Sequence, residues 1–249
     1  MIAMLQWTTF AVCALAAVAR IPSAVRGENR SIFGIFVLAT VAILLSIDAV
    51  YTVIDSWLGS ENYTNLLLRF LIYGAVLLSG YRIAKAFDSG TSIRRIAGPV
   101  GIGVLSLICI ATVALFLLAD TAGTVTGLTT LPARSPENAA LIESYAAVGR
   151  LYPSYVAVCI LPATYRAIGQ RLPKAIRTGA ALLTVAFASM AVATLFPLIP
   201  SDLGYVESII NYTAVLCLTS GLAFVWVSSL MASRALRRHR ALGLAALPR

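Results

Sequence analysis

The sequence has few charged residues, and acidic side chains are the scarcest of them. Only 12% of its 249 residues are charged, ten of them Asp or Glu, whereas 59% are hydrophobic. The mean hydropathy is +0.89. A soluble domain cannot keep so much apolar surface away from water. The composition therefore excludes a cytosolic enzyme, a disordered tail and a disulfide-framed secreted module, and it predicts a chain that lies in a bilayer.

Residue types that commonly carry chemistry are scarce as well. The one histidine, His239, lies in the basic C-terminal tail, which excludes paired-histidine metal and haem sites. The four cysteines lie in apolar runs without a C-x-x-C pair, which predicts buried free thiols. The sequence contains no P-loop, G-x-G-x-x-G or G-x-S-x-G motif. We therefore expect no catalytic residues, no metal and no cofactor.

Seven apolar stretches are long enough to cross a bilayer as helices. A hydrocarbon core of about 30 Å needs about 20 helical residues, and the stretches lack the alternation of barrel strands. The predicted spans are 2–19, 31–54, 64–86, 98–120, 142–168, 178–199 and 208–233. The predicted fold class is all-α: a polytopic membrane protein with seven transmembrane helices over residues 1–233, followed by a basic tail over 234–249.

Lys and Arg are distributed unequally between the two sets of connecting segments. Sixteen lie in one set, which includes the tail, and only Arg134 lies in the other. Basic residues stay on the cytoplasmic side of a membrane, so the asymmetry predicts a cytoplasmic C-terminus, an outside N-terminus and a location in the cell membrane. The first span has no basic residue before it, which predicts a retained anchor and not a cleaved signal peptide. The short basic clusters do not form one binding face, so nucleic acid is not an expected partner.

Two arginines fall inside the predicted spans, where an ionised side chain needs a partner or a wet cavity. Arg69 lies about 9 Å below the outer end of its helix, and Asp48 on the preceding helix has the same predicted depth. Asp55 follows Asp48 by seven residues and shares its helix face. Arg150 lies about 12 Å below the outer surface. Glu143 precedes Arg150 by seven residues on the same face.

These residues belong to a predicted polar layer in the outer half of the membrane. Its members are Asp48, Asp55, Arg69, Asp120, Glu143, Arg150, Glu207 and Asn211. One interpretation is that ion pairs such as Asp48–Arg69 and Glu143–Arg150 only hold the bundle together. The other is an outward-facing vestibule that binds a small polar or anionic ligand.

Three groups of residues occur together in the first half of the sequence: Arg20-Ile-Pro22 with Arg26 and Arg30, Asp48 with Asp55, and Asn62 with Asn65-Leu-Leu-Leu-Arg69. Together they resemble a family of uncharacterised actinobacterial seven-helix integral membrane proteins. Members of that family often carry a transporter label and continue into a cytoplasmic C-terminal domain. The present sequence has no such domain after Arg240. The resemblance implies a seven-helix membrane fold.

The sequence leaves two functions open. The first is a sensor or regulatory membrane subunit that binds an outer ligand, or another membrane or cytoplasmic protein, which suits the seven-helix topology. The second is a small-molecule or ion carrier or channel, favoured by the helix bends predicted at Pro153 and Pro162. Membrane lipids are further expected partners, because the basic tail suits anionic headgroups. The same tail serves equally well as a positive-inside anchor.

Overall fold

A computed structural model describes residues 2–27, 30–131, 135–198 and 204–245, with side chains up to Ser228 apart from a few positions such as Glu207. These residues form helices and loops, with no strand among them. The α-helices of the described ranges are α1 (Ile2–Val25), α2 (Arg30–Leu45), α3 (Asp48–Trp57), α4 (Tyr63–Ala86), α5 (Gly90–Ala97), α6 (Pro99–Leu118), α7 (Pro136–Gly169), α8 (Lys174–Val192) and α9 (Gly204–Ala245). Short 3-10 helices span Leu128–Thr130 and Ala193–Leu198. The all-α prediction is confirmed.

Most of these helices have the length and hydropathy of membrane spans. Six segments qualify individually: Ala3–Val25, Tyr63–Ala86, Gly90–Leu118, Pro136–Gly169, Lys174–Phe196 and Ser208–Ser228. α2 and α3 qualify only as a pair, and their axes are bent by 89°. The described residues thus hold six helices that could cross a membrane, or seven if the bent pair is one span. This architecture is compatible with a multi-pass membrane protein.

The chain turns sharply within the predicted span 31–54. The turn lies at Ile47, whose backbone is extended (φ −85°, ψ 121°) between α2 and α3. Ser46 favours the end of α2, because its hydroxyl donates to the carbonyl of Ile43 (2.7 Å) and so competes with the helical bonds. Asp48 then occupies the first turn of α3, where a carboxylate is favourable. The predicted span 31–54 thus consists of two helices, which make a seventh span only if the bent pair crosses as one.

α7 begins six residues before the predicted span 142–168. Ser135 caps the helix, because its side chain accepts a hydrogen bond from the backbone N–H of Asn138 (3.1 Å). Pro136 takes the first helical position and Glu137 lies in the first turn, both of which favour a helix start. The loop between α6 and α7 is accordingly shorter than expected. The sequence Ser135-Pro136-Glu137 already indicated this helix start.

Six helices form a closed ring. α1 packs against α2, α2 against α4, α4 against α7, α7 against α8, α8 against α9, and α9 returns to α1. α5 and α6 pack on α4 and α7, while α3 contacts α2 and α4. α9 continues to Ala245, into the residues 234–249 that were predicted as a separate tail. Five of the six helices in the ring surround one interior space.

The outward-facing surface of the helices is apolar. Leu15 and Val18 on α1, and Leu107, Ile110 and Leu117 on α6, are all more than 60% exposed. Apolar side chains in such numbers would be unfavourable in water, whereas the hydrocarbon of a bilayer would cover them. The exposed surface and the helix lengths therefore agree on a membrane setting.

Candidate ligand-binding cavity

The predicted polar layer is divided between two places. Three acidic residues lie at the end of the bundle covered by the loop 119–131, called here the loop-covered end: Asp48, Asp55 and Asp120. Three other residues line a cavity inside the ring: Arg69, Arg150 and Asn211. Glu143 is exposed on α7, and the side chain of Glu207 lies outside the described residues.

Asp55 caps the start of α4. Its carboxylate is fully buried and accepts hydrogen bonds from the backbone N–H groups of Asn62 (3.2 Å) and Thr64 (3.1 Å). It also accepts one from the hydroxyl of Thr124 (3.1 Å), which ties the loop to the helix. A carboxylate at the N-terminal N–H groups of a helix satisfies donors that have no partner within that helix. Asp55 is therefore a structural residue.

Asn62 fixes the loop 119–131 above α4. Its Nδ2 donates to the carbonyls of Thr121 (2.7 Å) and Gly123, and its Oδ1 accepts from the hydroxyl of Tyr51 (2.7 Å) and the N–H of Val125 (3.1 Å). Both hydrogens and both lone pairs of the amide are used. Its backbone has φ 59°, a left-handed conformation that Asn tolerates better than most residues. The loop is thus tightly bonded to the helix below it.

Asp48 shares a face of α3 with Asp55, as predicted. Its carboxylate is exposed and accepts a hydrogen bond from the hydroxyl of Thr126 (2.6 Å), so both acids contact the same loop. The guanidinium of Arg69 lies instead against the ring of Tyr145. Asp48 and Arg69 therefore have different partners here, because the bend between α2 and α3 carries Asp48 to the loop.

Asp120 and Glu143 are not among the described lining residues of the cavity. Asp120 accepts a hydrogen bond from the N–H of Ala122 (3.2 Å), and the side chain of Asn138 bonds the backbone of Asp120 at 2.7 and 3.0 Å. Asp120 therefore helps to join α6 to the start of α7. Glu143 lies two helical turns from Arg150, which separates them by about 10 Å along the axis of α7.

The ring encloses a cavity of about 330 Å³, a size typical of small-molecule sites. α2, α4, α7, α8 and α9 line it. Its polar lining residues are Ser46, Arg69, Arg150, Ser208, Asn211 and Tyr212. None of the described lining residues is acidic. The described lining thus contributes two guanidinium groups, Arg69 and Arg150, to a cavity within an apolar bundle.

Polar and apolar lining residues are separated along the helix axes. On α4 the lining passes from Arg69 to Val76 towards the middle of the bundle, and on α9 it passes from Asn211 to Leu218. On α2, which runs in the opposite direction, Ser46 is the last lining residue. The six polar residues thus form a rim towards the loop-covered end. The apolar floor below them includes Ala39, Ile72, Val76 and Leu218.

Arg69 is positioned by an aromatic ring and a glycine. Its guanidinium carbon lies 5.2 Å from the centre of the Tyr145 ring, a cation–π distance. A Cβ added to Gly149 would lie only 2.5 Å from the same Cζ, so any larger residue would displace the guanidinium. Tyr145 is held in turn by its hydroxyl, which donates to Asn65 (2.9 Å). Within the described part of the chain, the contacts of Arg69 involve no carboxylate.

Arg150 follows Gly149 on α7 and lies 5.6 Å from the centre of the Phe196 ring. Pro153, also a lining residue, is one turn further along. Because proline has no N–H, the carbonyl of Gly149 has no helical donor, although α7 is continuous through this position. The side of α7 that faces the cavity thus supplies a cation and a carbonyl oxygen without its helical hydrogen bond.

A small polar network joins three helices at the rim. Nε2 of Gln6 on α1 donates to the hydroxyl of Tyr212 (2.8 Å) on α9 and to the carbonyl of Ser46 (3.2 Å) at the end of α2. The hydroxyls of Ser46 and Tyr212 are 3.1 Å apart. Sequence reasoning missed these residues and Gly149, since it followed charged groups. The signal for Gln6 was an amide inside an otherwise apolar run.

No family model, curated protein or solved structure matches the chain. The resemblance to the actinobacterial seven-helix family therefore stays a prediction.

Proposed function

We propose that this protein is a non-enzymatic sensor or regulatory subunit of the cell membrane that binds an amphiphilic anion in the cavity. The observation that carries the proposal is the division of the cavity into a rim with Arg69 and Arg150 and an apolar floor. Arginine matches carboxylate and phosphate oxygens in a bidentate manner. A short hydrocarbon chain would fill the floor and release water from apolar surface.

The charge of the rim selects the ligand class. The guanidinium of Arg69, in a cavity surrounded by low-dielectric helices, disfavours a cationic ligand and favours an anion more strongly than it would in water. A wholly apolar ligand would bury part of the rim without bonding it, which is costly. A ligand without a hydrocarbon part would leave the floor empty. An anion with a short chain satisfies both regions.

The arrangement of the helices supports a regulatory role. A ligand in the cavity contacts five helices of the ring, so it stabilises the ring arrangement to which it binds best. α9 contributes Asn211 and Tyr212 to the rim and extends without interruption to Ala245. A change at the rim would thus reach the basic C-terminal part of the chain. Another membrane protein or a cytoplasmic protein is the proposed receiver.

The proposal includes an orientation in the membrane. The loop-covered end and the N-terminus lie outside the cell, and the C-terminus is cytoplasmic, as the positive-inside rule predicts. Thr91 and Glu61 are exposed at opposite ends of the bundle. In intact cells, a membrane-impermeant maleimide should label Glu61→Cys and not Thr91→Cys, with the parent chain as the background control. The reverse labelling would refute this orientation.

A carrier is the alternative function, and Pro153 is the observation that favours it. Proline within a helix weakens the local hydrogen bonding, and here it does so beside the cavity. Broken or weakened helices at the substrate site are typical of transporters. In this alternative the same rim would lie on a transport path.

Binding of octanoate, 1-octanol and acetate to the purified protein in nanodiscs tests the proposal. We expect octanoate to bind most tightly, because it alone has both an anionic group and a chain. Arg69→Gln should weaken octanoate binding at least tenfold, whereas Arg94→Gln, an exposed arginine on α5, should leave it unchanged. Equal binding of octanoate and 1-octanol, or equal loss in both variants, would rule the proposal out.

Flux measurements separate the two functions once binding is established. Vesicles that contain the protein should not accumulate labelled octanoate faster than empty vesicles if the protein is a sensor. Protein-dependent uptake that is lost in Arg69→Gln and retained in Arg94→Gln would establish the carrier instead.

A further inference from the structure

Arg20 is the largest fully buried side chain among the described residues, and nothing in the ligand cavity accounts for it. It lies on α1, five residues before the helix ends, and is only 1% exposed. Its Nε, Nη1 and Nη2 are all buried and have no hydrogen-bond partner among the described residues. A guanidinium has five N–H donors, and none of those of Arg20 is used within the described part of the chain.

The flat face of the Arg20 guanidinium contacts an aromatic ring, whereas the N–H groups at its edges lack hydrogen-bond acceptors among the described residues. The guanidinium lies on the ring of Trp226 from α9, with Cζ 3.8 Å from the ring centre. A cation–π contact stabilises the charge through the face of the guanidinium. The N–H groups point along the plane and need acceptors there. A buried cation without such acceptors is strongly unfavourable.

A charged neighbour of Arg20 increases the positive electrostatic potential around it. Arg82 on α4 is close enough to repel Arg20 electrostatically. Arg26, one and a half turns further along the chain, donates its Nε to the carbonyl of Pro22 (3.1 Å) and is exposed. Three helices thus converge on a buried cation at the end of the bundle opposite the loop-covered end, called here the basic end.

This position is separate from the ligand cavity. Trp226 lies eight residues beyond Leu218 on α9, and Arg82 lies six residues beyond Val76 on α4. Both intervals are about two helical turns beyond the floor of the cavity. A ligand at Arg20 would therefore occupy a second site at the opposite end of the ring.

We infer that Arg20, Arg82 and Trp226 form a binding site for a phosphate group at the basic end. Phosphate offers several oxygens to the N–H edges of guanidinium groups, and arginine binds it in a bidentate manner. Its negative charge offsets the repulsion between Arg20 and Arg82. In a spanning orientation, Arg20 lies near the boundary between hydrocarbon and headgroups, because α1 is only a few ångströms longer than the hydrocarbon core. The phosphate can come from a phospholipid headgroup or from free phosphate, and the two sources share this chemistry.

The test measures the thermal unfolding midpoint of the full chain in detergent with dioleoylphosphatidylglycerol, with dioleoylglycerol, which lacks the phosphate, and with inorganic phosphate. A larger rise with the phospholipid than with dioleoylglycerol supports the site with a lipid as the source. A rise with inorganic phosphate as well supports the site with free phosphate as a second source. Equal responses to the phospholipid and dioleoylglycerol, with none to phosphate, overturn the proposal.

Single substitutions show which residues cause the response to phospholipid. Arg20→Gln should lower the apparent phospholipid affinity at least tenfold, whereas Arg26→Gln should retain it, since Arg26 bonds its own helix. If Arg20→Gln does not accumulate, Arg82→Gln gives the same information. That change relieves the repulsion between Arg20 and Arg82, and the site predicts that it also lowers phospholipid affinity. An unchanged phospholipid response in Arg82→Gln or Arg20→Gln would show that the arginines do not bind the phosphate.

Discussion

Asp55 and Asn62 at the loop-covered end differ from Arg69 at the rim of the cavity in how completely their polar atoms are hydrogen-bonded. At the loop-covered end, Asp55 accepts three hydrogen bonds and the amide of Asn62 uses all its bonding positions. At the rim, Arg69 contacts an aromatic ring and a glycine, with no carboxylate among the described contacts. A polar group whose bonds are complete holds structure together. The guanidinium of Arg69, which faces the cavity, is available for a ligand.

The comparison predicts its largest effect at Asp55. Asp55→Ala leaves two backbone N–H groups of α4 and the hydroxyl of Thr124 without their buried acceptor. We expect the free energy of unfolding to fall by about 3 kcal/mol or more. Asp48→Ala is the matched control, because Asp48 is exposed and bonded by the hydroxyl of Thr126. It should cost less than about 1 kcal/mol.

Unfolding in mixed detergent and dodecyl sulfate micelles measures both changes. Equal losses in the Asp55 and Asp48 variants would show that burial at the loop-covered end does not determine stability. Octanoate binding to any folded Asp55→Ala protein should remain close to that of the parent chain, since Asp55 does not line the cavity.

A smaller effect, confined to binding, is predicted at Gly149. Gly149→Ala places a methyl group where the guanidinium of Arg69 lies, so the arginine must leave its position over Tyr145. Octanoate affinity should fall about tenfold, which is about 1.4 kcal/mol. Gly103→Ala on α6 is the matched control, because a Cβ there would meet no atom within 4 Å. It should leave binding unchanged and stabilise the helix by up to about 1 kcal/mol.

The smallest predicted effect is at Tyr212. Tyr212→Phe removes the hydroxyl that bonds Gln6 and Ser46 at the rim. We expect a loss of about 1 kcal/mol in the free energy of unfolding, the typical contribution of a hydrogen bond. Phe224→Leu, on an exposed part of the same helix, provides a comparison outside the network. A loss in Tyr212→Phe no greater than in Phe224→Leu would mean that the network does not join α1, α2 and α9.

Composition and hydrophobic run length were sufficient to predict the helical class and most spans, because they depend on summed properties of about 20 residues. Breaks and early starts of individual helices were harder to predict. The turn at Ile47 depends on Ser46 and Asp48, two polar residues inside one apolar run. The early start of α7 at Pro136 followed a capping signal that hydropathy does not weigh.

The sequence predicted the charged residues of the candidate site, but it did not predict how those residues are arranged. Arg69 and Arg150 stood out because ionised groups are rare in spans, and both line the cavity. Pairing them with acids at similar depth assumed straight helices. Contacts through Gly149 and Tyr145 arise only when α4 and α7 pack together, and no spacing within one helix indicates them.

A crystal structure with 8-bromooctanoate tests the central claim most directly, because anomalous scattering locates the bromine independently of the protein density. The account predicts a bromine peak against the apolar floor, near Val76 and Leu218, with the carboxylate at the guanidinium of Arg69. A bromine at the rim with the carboxylate towards the floor, or a ligand bound only on the outer surface of the ring, would contradict it.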